Sequence, residues 1–523
     1  MIQRFHKSAH PLRRPGPAPA TKSTVPRAYL RSVAVVVTCH PPYLPYLSKC
    51  LQSVMSQRVD ADVTVLVAFD GKATRQLGRI VSAAGIKWEH VRARQFGNVC
   101  KLRNWAASTV APDAYLFVDA DNTLQPGYLN SMVRTMRAEP RPAVVYPEIN
   151  VIDETGQTVR GPVRRPHSYD QLAVKNYIES CSLVRASDFW AVGGFDPTVD
   201  GFMDWDLWTR LLRPDTGRVA SPCMATLNYL RHPGAMNLRS RKNLWPQKVR
   251  TKNSRRAVFV PFSGREYCLT PMLRFLRGMR GPRSEMALYL YDNSPAGLHT
   301  VQDYAREAMA DWGAVHYHRD TIQLCDVLPR EARFDEFRGL PNSTLMAHAQ
   351  GGKVRCAVAR AMADRTTAIF NWAFEHVREE LLLIVEDDTE PPVDVWPRLL
   401  ASCTDRTPTV ISGWYNDRFR RRPIVAREAS HSPFLLAPLD KPTPGDGRPD
   451  VELVHATGFG AMLLHLPTLR LHGIRFRAWP DAPGGAVFGT DNAFGFDLVT
   501  AKLSQYVDWR VQCKHWQSET KYV

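Results

Sequence analysis

Ala-Tyr-Leu-Phe-Val-Asp-Ala-Asp-Asn, residues 114–122, is the stretch that decides the fold. Its first five residues form an uninterrupted apolar run, which is typical of a strand buried on both faces of a parallel sheet. Two carboxylates one residue apart, Asp119 and Asp121, follow where the strand ends. Such a pair can approach one hard divalent cation, although acidic residues also end many strands without binding anything. The stretch therefore predicts a buried strand that carries a candidate metal site.

Two more apolar runs precede this strand and place it in a larger sheet. Residues 33–39 and 63–69 predict strands, and the second of them ends at Asp70. Helices are predicted between the strands, from about Pro45 and from about Lys101. This alternation of strands and helices indicates an α/β domain with a parallel, doubly wound sheet. Acidic residues at the strand ends then face the ligand crevice of such a sheet.

The second half of the chain repeats this order. Its predicted strands are residues 258–262, 286–291 and 381–385, and the last of them ends in Glu386-Asp387-Asp388. Asp70 lies 32 positions after Thr38, and Asp292 lies 31 positions after Pro261. The later segment is longer in the second half, and an insertion around residues 319–350, forming a loop over the site, accounts for the difference. The repeat predicts two consecutive domains of one architecture.

The basic residues cluster in two parts of the chain, which has a net charge of +17. Residues 1–50 hold eight Lys and Arg and no Asp or Glu, whereas residues 231–283 hold fourteen against Glu266 alone. We therefore assign the basicity to a tail and a central segment rather than to the folded halves. The predicted organisation is a basic disordered tail over 1–30, a first domain over 31–240, a basic linker over 241–257 and a second domain over 258–523. Either these basic segments contact a polyanion such as DNA, or they are solvated linkers.

The composition also predicts where the protein works. No apolar run reaches the roughly 18 to 20 residues of a membrane-spanning helix, so we expect no membrane span. The N-terminal residues lack the apolar core of a secretory signal. The ten cysteines are scattered singly, which is typical of reduced thiols. We expect a cytoplasmic protein, in a bacterial host cell if the gene belongs to a phage.

Each half carries an aspartate and a later histidine at similar spacing. His232 follows Asp204 by 28 positions, and His515 follows Asp491 by 24. A carboxylate can serve as a general base, and a neutral imidazole is a competent metal ligand. Alternatively, Asp204 caps the start of a helix and His515 packs in a core.

These motifs, with Lys101-Leu102-Arg103-Asn104 and the Gly-Gly-Phe-Asp turn at 193–196, resemble the inverting family 2 glycosyltransferases of the GT-A fold. The resemblance covers nearly all of residues 31–523. It implies an α/β fold class with two consecutive GT-A-like, Rossmann-like nucleotide-sugar-binding domains. It also implies metal-dependent transfer of a sugar from a nucleotide-diphospho-sugar, expected to be a UDP-sugar, to an acceptor hydroxyl, with Mn²⁺ or Mg²⁺ as the cofactor.

The resemblance also implies roles for individual residues. The implied catalytic bases are Asp204 and Asp491. The implied metal ligands are Asp121, His232, Asp388 and His515. The implied donor contacts are Thr38, Asp70, Lys101, Arg103, Asn104, Asp119 and Asp292. Three positions depart from the family pattern: Met203 and Thr490 stand where a Glu is usual, and Glu386 stands for the first Asp of the metal motif. These departures put the acceptor contacts in doubt more than the chemistry.

The acceptor and the role of the second half stay open at this point. The basic segments favour a hydroxylated base in DNA, which a phage-type modifying enzyme would flip out of the duplex. The alternative is synthesis of a surface polysaccharide, or glycosylation of a protein or of a lipid-linked glycan. The second half is either a second enzyme or a non-catalytic module that binds the acceptor. A sugar nucleotidyltransferase is disfavoured because Thr38-Cys39-His40-Pro41 is not a glycine-rich loop.

Overall fold

The computed structural model describes most of the chain in two compact units, Arg13–Asn253 and Met1–Leu12 with Ser254–Val523. The described residues are 2–5, 30–138, 142–233, 244–294, 297–322, 324–328, 352–404, 409–417, 421–428, 436–443, 447–478, 490–518 and 521–522. The predicted loop over 319–350 lies largely outside them. The unit boundary falls inside the segment that we predicted as a linker.

The first unit is built on one mixed sheet. In spatial order its strands are Val91–Ala93, Asp62–Phe69, Ser32–Cys39, Ala114–Asp119, Leu183–Arg185, Val144–Ile152, Ala220–Leu230 and Thr123–Leu124, with Thr158–Arg160 beside Val144–Ile152. The strands Ser32–Cys39, Asp62–Phe69 and Ala114–Asp119 are parallel. Leu183–Arg185 runs antiparallel to both of its neighbours, which corrects our prediction of a purely parallel sheet.

Helices cover both faces of this sheet. They are Leu44–Met55, Arg75–Ala83, Val99–Ala107, Tyr128–Arg137, Tyr169–Val174, Ala186–Ala191, Met203–Leu211 and Trp245–Asn253. Val33, Val35 and Val37 belong to one apolar core, whereas Ala34 and Val36 belong to another on the opposite face. Because successive side chains of a strand point to opposite faces, a strand buried twice must be apolar at every position.

The second unit repeats the architecture. In spatial order its main sheet contains Ile2–Phe5, Ala314–Arg319, Met286–Asp292, Arg256–Phe262, Leu381–Val385, Ala461–His465, Val410–Trp414, Gln505–Gln512 and Val451–Val454. Two smaller sheets pair Thr389–Glu390 with Lys514–His515, and Val425–Glu428 with Leu436–Pro438 and Ala456–Thr457. Its helices are Glu266–Gly278, His299–Ala308, Leu324–Val327, Gly352–His376, Val395–Thr404, Leu466–Leu471 and Thr490–Thr500.

The two sheets share one strand order. In each, the opening strand lies between a parallel partner and the strand that ends in the acidic motif, and an antiparallel strand follows on the far side of that motif. Val33 pairs with Ala114 in the first sheet, and Arg256 pairs with Leu381 in the second. By this register Asp121 corresponds to Asp388.

The basic segments are more structured than we predicted. Ile2–Phe5 forms a strand antiparallel to Ala314–Arg319, so these four residues are not part of a disordered tail. Within 231–283, seven basic side chains form ion pairs with acidic residues of their own unit: Lys252, Arg255, Arg256, Arg265, Arg274, Arg277 and Arg283. Assigning this charge to a linker was therefore wrong, because acidic residues distant in sequence neutralise much of it.

None of the described helices is both long enough and apolar enough to cross a membrane.

Candidate active site

Asp119 is held at the end of its strand by several side chains. Its Oδ1 accepts hydrogen bonds from Arg103 and from Thr38 Oγ1, the latter at 3.1 Å. Its Oδ2 accepts one from Ser180 Oγ at 2.9 Å. Arg103 is only 2% exposed and its guanidinium lies over the ring of Phe195, at 5.0 Å from the centroid. This network fixes Asp119 at the end of its strand. Thr38 and Arg103, which we predicted to contact the sugar donor, form hydrogen bonds with Asp119 instead.

Asp121 lies beside His232, as the sequence motifs predict for a shared site. His232 Nε2 is 3.2 Å from Asp121 Oδ2, and the imidazole packs against the rings of Tyr43 and Tyr46. His232 follows the strand Ala220–Leu230. Burial, reinforced by the nearby Asp119, raises the pKa of Asp121 to about 6. A buried carboxylate next to an imidazole is a suitable pair of ligands for a divalent cation, which would relieve the cost of burying the charge.

The protein supplies few other ligands around this pair. Within the described residues, no group of three or more His, Cys, Asp and Glu side chains is arranged to hold a metal ion. Mg²⁺ commonly binds through one or two carboxylates and completes its shell with water and substrate phosphates. Asp121 and His232 fit a cation of that kind.

Asp204 lies in the first turn of the helix Met203–Leu211. Its Oδ2 accepts a 2.7 Å hydrogen bond from Asn176 Nδ2, which orients the carboxylate. Burial raises the pKa of Asp204, while the bonds from Trp205 and Asn176 oppose that shift. The carboxylate therefore combines a fixed orientation with a proton affinity above that of an ordinary Asp, as a general base requires.

Glu179 is a site residue that the sequence analysis missed. Ser180 Oγ lies 3.2 Å from Glu179 Oε1 and also donates to Asp119, so a single hydroxyl links the two carboxylates. Burial raises the pKa of Glu179 to about 8, and the charges of Asp204 and Asp119 add to the effect. No motif surrounds Glu179 in the sequence. Only its place in the segment between Asn176 and Ser180 brings it to the site.

The other predicted donor contacts of the first unit have different surroundings. Asp70 Oδ1 accepts hydrogen bonds from the backbone N–H groups of Phe96 and Gly97, at 2.6 and 3.1 Å. It thereby orders the loop before the helix Val99–Ala107. Lys101 is exposed on that helix.

Asn104 makes a reciprocal pair of hydrogen bonds with a turn. Its Nδ2 donates to Phe195 O at 2.7 Å, and the Phe195 N–H donates to Asn104 Oδ1 at 3.0 Å. The amide thus anchors the Gly-Gly-Phe-Asp turn to the helix. Asn104 therefore has a structural role. Its position gives no support to the contact with the sugar donor that the resemblance implies.

In the second unit, Asp388 and His515 lie close together. His515 Nε2 is 3.6 Å from Asp388 Oδ2, and His515 Nδ1 is 2.9 Å from Asn416 O. Because a carbonyl oxygen can only accept, Nδ1 carries the proton and the lone pair of the neutral ring is on Nε2. That tautomer suits metal ligation. However, Arg265 forms an ion pair with Asp388 Oδ2, the same oxygen that His515 approaches, so a cation held between these two side chains would compete with the arginine.

Asp491 begins the helix Thr490–Thr500, as Asp204 begins its own. Burial raises the pKa of Asp491 and that of Glu386, and Asp491 adds to the shift of Glu386 by its charge. Tyr415 Oη lies 3.5 Å from Glu386 Oε2. The second unit therefore also brings its predicted base close to its acidic motif.

Asp292 does not occupy the place that we predicted. The opening strands of the two units align Cys39 with Phe262. Cys39 pairs with Phe69 and Phe262 pairs with Asp292, so Asp292 corresponds to Phe69, and the counterpart of Asp70 is Asn293. A shift of one residue turns a strand side chain to the opposite face. Asp292 is 0% exposed and accepts hydrogen bonds from Ser294, Leu298 and Tyr317. Its predicted contact with the donor is wrong for this reason.

The second unit repeats the pair of hydrogen bonds that Asn104 forms with Phe195. Asn371 Nδ2 donates to Phe476 O at 2.8 Å, and the Phe476 N–H donates to Asn371 Oδ1 at 3.0 Å, as in the Asn104–Phe195 pair. This alignment sets Phe370 at the place of Arg103. Arg185 pairs with Ala114 in the first sheet and His465 pairs with Leu381 in the second, so Arg185 corresponds to His465. Six positions earlier in each unit, Phe459 therefore corresponds to Glu179. Phe370 and Phe459 pack edge to face, with centroids 5.0 Å apart. A polar network in the first unit is thus replaced by an aromatic core in the second.

Comparison with known families bears directly on the first unit. Residues 34–193 match Glycosyl transferase family 2, a range that includes Asp119, Asp121 and Glu179. This part of the chain is a family 2 glycosyltransferase domain. Asp204 and His232 follow the matched range and are brought to the site of this family 2 domain by the fold.

Two curated relatives match over part of their length. The chain is 28% identical over 203 residues to the O-antigen biosynthesis protein RfbC of Myxococcus xanthus, covering 38% of this chain and 16% of that protein. It is 25% identical over 184 residues to the uncharacterized protein y4gI of Sinorhizobium fredii, covering 34% and 20%. The chain thus spans a fifth or less of either relative.

Solved structures of S. aureus TarS are also similar. TarS 1–349 in complex with UDP-GlcNAc has 15% identity and a TM-score of 0.35, with 42% of this chain and 66% of that chain covered. The crystal structure of TarS has 14% identity and a TM-score of 0.33, with 42% and 39% covered.

Proposed function

We propose that the chain transfers a sugar from a nucleotide-diphospho-sugar, expected to be a UDP-sugar, to a hydroxyl group of a glycan, with the first domain as the principal enzyme. The proposal rests on one observation above all. The family 2 domain holds the pair Asp121 and His232, and a separate carboxylate, Asp204, lies close enough to Asp119 to interact with it electrostatically. One group can bind the cation that the diphosphate needs, and the other can take the proton of the acceptor.

The residues divide the reaction between them. Asp121 and His232 would hold Mn²⁺ or Mg²⁺, which supplies positive charge to the departing nucleotide diphosphate. Asp204, oriented by Asn176, accepts the proton of the attacking hydroxyl. The hydroxyl oxygen bonds to the anomeric carbon as the bond to the diphosphate oxygen breaks, and the configuration inverts. Arg103 and Ser180 hold Asp119 in place throughout.

For the second domain we propose transfer of a sugar to a hydroxyl group as well, with Asp491 as the base. Asp388 and His515 are the counterparts of Asp121 and His232. The alternative is a module that only binds the acceptor. The variants Asp204→Asn and Asp491→Asn separate these roles, because an inert second domain would leave transfer unchanged in Asp491→Asn.

We propose a glycan rather than DNA as the acceptor. RfbC of Myxococcus xanthus is named for O-antigen biosynthesis, which supports a glycan acceptor here. Half of the fourteen basic residues in the central segment that favoured DNA form ion pairs, for example Lys252 with Asp206 and Arg255 with Glu380. A paired arginine or lysine has less charge to offer to phosphates.

The test is release of nucleotide diphosphate from a panel of donors with Mn²⁺. The acceptors are oligosaccharides, hydroxymethylated DNA and unmodified DNA, each compared with a reaction without acceptor. We expect release to rise with an oligosaccharide and not with DNA. Stimulation by hydroxymethylated DNA alone would refute the glycan proposal, and no release from any donor by folded protein would refute the enzyme.

We also propose that the protein acts in the cytoplasm. Eight cysteines within the described residues are free thiols, most of them buried, which agrees with a reducing compartment. Recovery of the protein from the membrane or periplasmic fraction of cells would contradict this location.

A further inference from the structure

The two domains place an arginine on different carboxylates of the acidic motif. In the first domain Arg103 pairs with Asp119 and leaves Asp121 to His232. In the second domain the place of Arg103 is taken by Phe370, so no cation comes from that helix position. There Arg265 pairs with Asp388, the counterpart of Asp121.

Arg265 is positioned by the loop that follows the opening strand Arg256–Phe262. In that loop the backbone N–H and the hydroxyl of Ser263 both donate to Asp387 Oδ2, at 2.8 and 2.9 Å. The guanidinium of Arg265 also lies 3.7 Å from Asp387 Oδ1, and its side chain is 19% exposed. Its buried Nε has no hydrogen-bond partner among the described residues. The arginine thus bridges two carboxylates and retains one unused donor.

A guanidinium and a divalent cation compete for the same carboxylate oxygens. Arginine keeps its charge at every physiological pH and recognises phosphate through paired N–H groups. An arginine already on Asp388 therefore lowers the affinity of that carboxylate for a metal ion. It can also supply positive charge to a diphosphate.

We propose that Arg265 is the resident cation of the second domain, where it opposes metal binding at Asp388 and pairs with the diphosphate of the donor. Its contact with the diphosphate rests on the proposed function of the second domain, whereas its competition with metal does not. The two domains then differ in cofactor use. The first requires a divalent ion, and the second carries its positive charge on a side chain.

The test is Mn²⁺ binding to the full chain, followed by electron paramagnetic resonance in the absence of nucleotide. Asp121→Asn removes the proposed site of the first domain, so the remaining binding reports on the second. We expect weak Mn²⁺ binding in Asp121→Asn and at least a fivefold gain in affinity in Asp121→Asn with Arg265→Gln. The further change Asp388→Asn should abolish that gain.

Arg274→Gln is the matched control, because Arg274 lies on the helix Glu266–Gly278, which begins directly after Arg265, but pairs with Glu390, at 2.9 Å. In the Asp121→Asn background it should leave Mn²⁺ affinity within twofold. Equal affinity with and without Arg265→Gln would overturn the proposal, as would an equal gain from Arg274→Gln.

A second measurement addresses the diphosphate. Calorimetric binding of UDP to Asp121→Asn in EDTA should weaken at least fivefold on Arg265→Gln. Unchanged UDP binding would overturn the diphosphate contact. Absence of UDP binding in Asp121→Asn itself would count against nucleotide binding by the second domain, and the Mn²⁺ result would still decide the competition.

Discussion

Replacing Asn104 by alanine distinguishes its structural role, which is to hold the turn at 193–196, from its implied role as a contact of the sugar donor. The change removes both hydrogen bonds to Phe195 and leaves a backbone N–H and a carbonyl without their partner. An unsatisfied buried polar group costs about 1 to 3 kcal/mol. Because Asn104 is only partly buried, water can reach part of the gap, and we expect a total loss of about 2 to 4 kcal/mol.

The assay for Asn104→Ala is urea denaturation together with calorimetric UDP binding in Mn²⁺. We expect a lower free energy of unfolding for the first domain and UDP affinity within threefold under conditions where the variant is folded. Asn371→Ala is the matched change in the second domain and should destabilise it to a similar extent. A variant of full stability that binds UDP tenfold more weakly would show that Asn104 contacts the donor, and would refute the scaffold role.

Two further predictions follow from the shifted carboxylates. Mn²⁺ affinity of the first domain should fall about tenfold per pH unit below pH 6, because protons compete for Asp121, whose pKa burial raises to about 6; affinity independent of pH between 5 and 7 would contradict this. Glu179→Gln should raise the free energy of unfolding by about 3 kcal/mol more at pH 8 than at pH 5, measured by denaturation at both values. The sign follows because burial raises the pKa of Glu179 from 4.5 to about 8. Between these pH values the wild-type protein loses stability as the pH rises, because unfolding lets Glu179 ionise. The glutamine variant has no such group and does not lose this stability. A gain of equal size at both pH values would count against a shifted Glu179.

Much of the fold was predictable because its central strands are buried on both faces. Such strands must be apolar at every position, and residues 33–37 and 114–118 show that requirement directly in the sequence. The pairing of Asp121 with His232 was likewise predictable, since each follows a recognisable motif. The antiparallel strand Leu183–Arg185 was not, because its three residues carry no pattern that sets its direction.

The errors at the site have local physical causes. Asp292 was matched to Asp70 by spacing, but strand side chains alternate with a period of two, so a shift of one residue moved Asp292 into the core. Glu179 was missed because no neighbouring residue marks it, and its environment is created by Asp119 and Asp204. The charge of the central segment was misjudged because Asp206 and other partners are distant in sequence.

The exchange of Arg103 and Glu179 for Phe370 and Phe459 shows how the repeat diverged. A buried arginine and a buried glutamate are stable only with partners, and both find one in the Asp119 network. Two phenylalanines need only each other and the surrounding apolar core. Replacing Arg103 alone would take from Asp119 the cation that it pairs with.

Acceptor-dependent release of nucleotide diphosphate, measured in the Asp491→Asn background, tests the central claim most directly. With the second domain silenced, the account predicts that Asp204→Asn lowers turnover by at least about a hundredfold, the lower limit for loss of a general base. Donor affinity should stay within about twofold, because the role proposed for Asp204 is at the acceptor hydroxyl and not at the nucleotide. Turnover that survives Asp204→Asn unchanged would contradict the assignment of sugar transfer to the first domain.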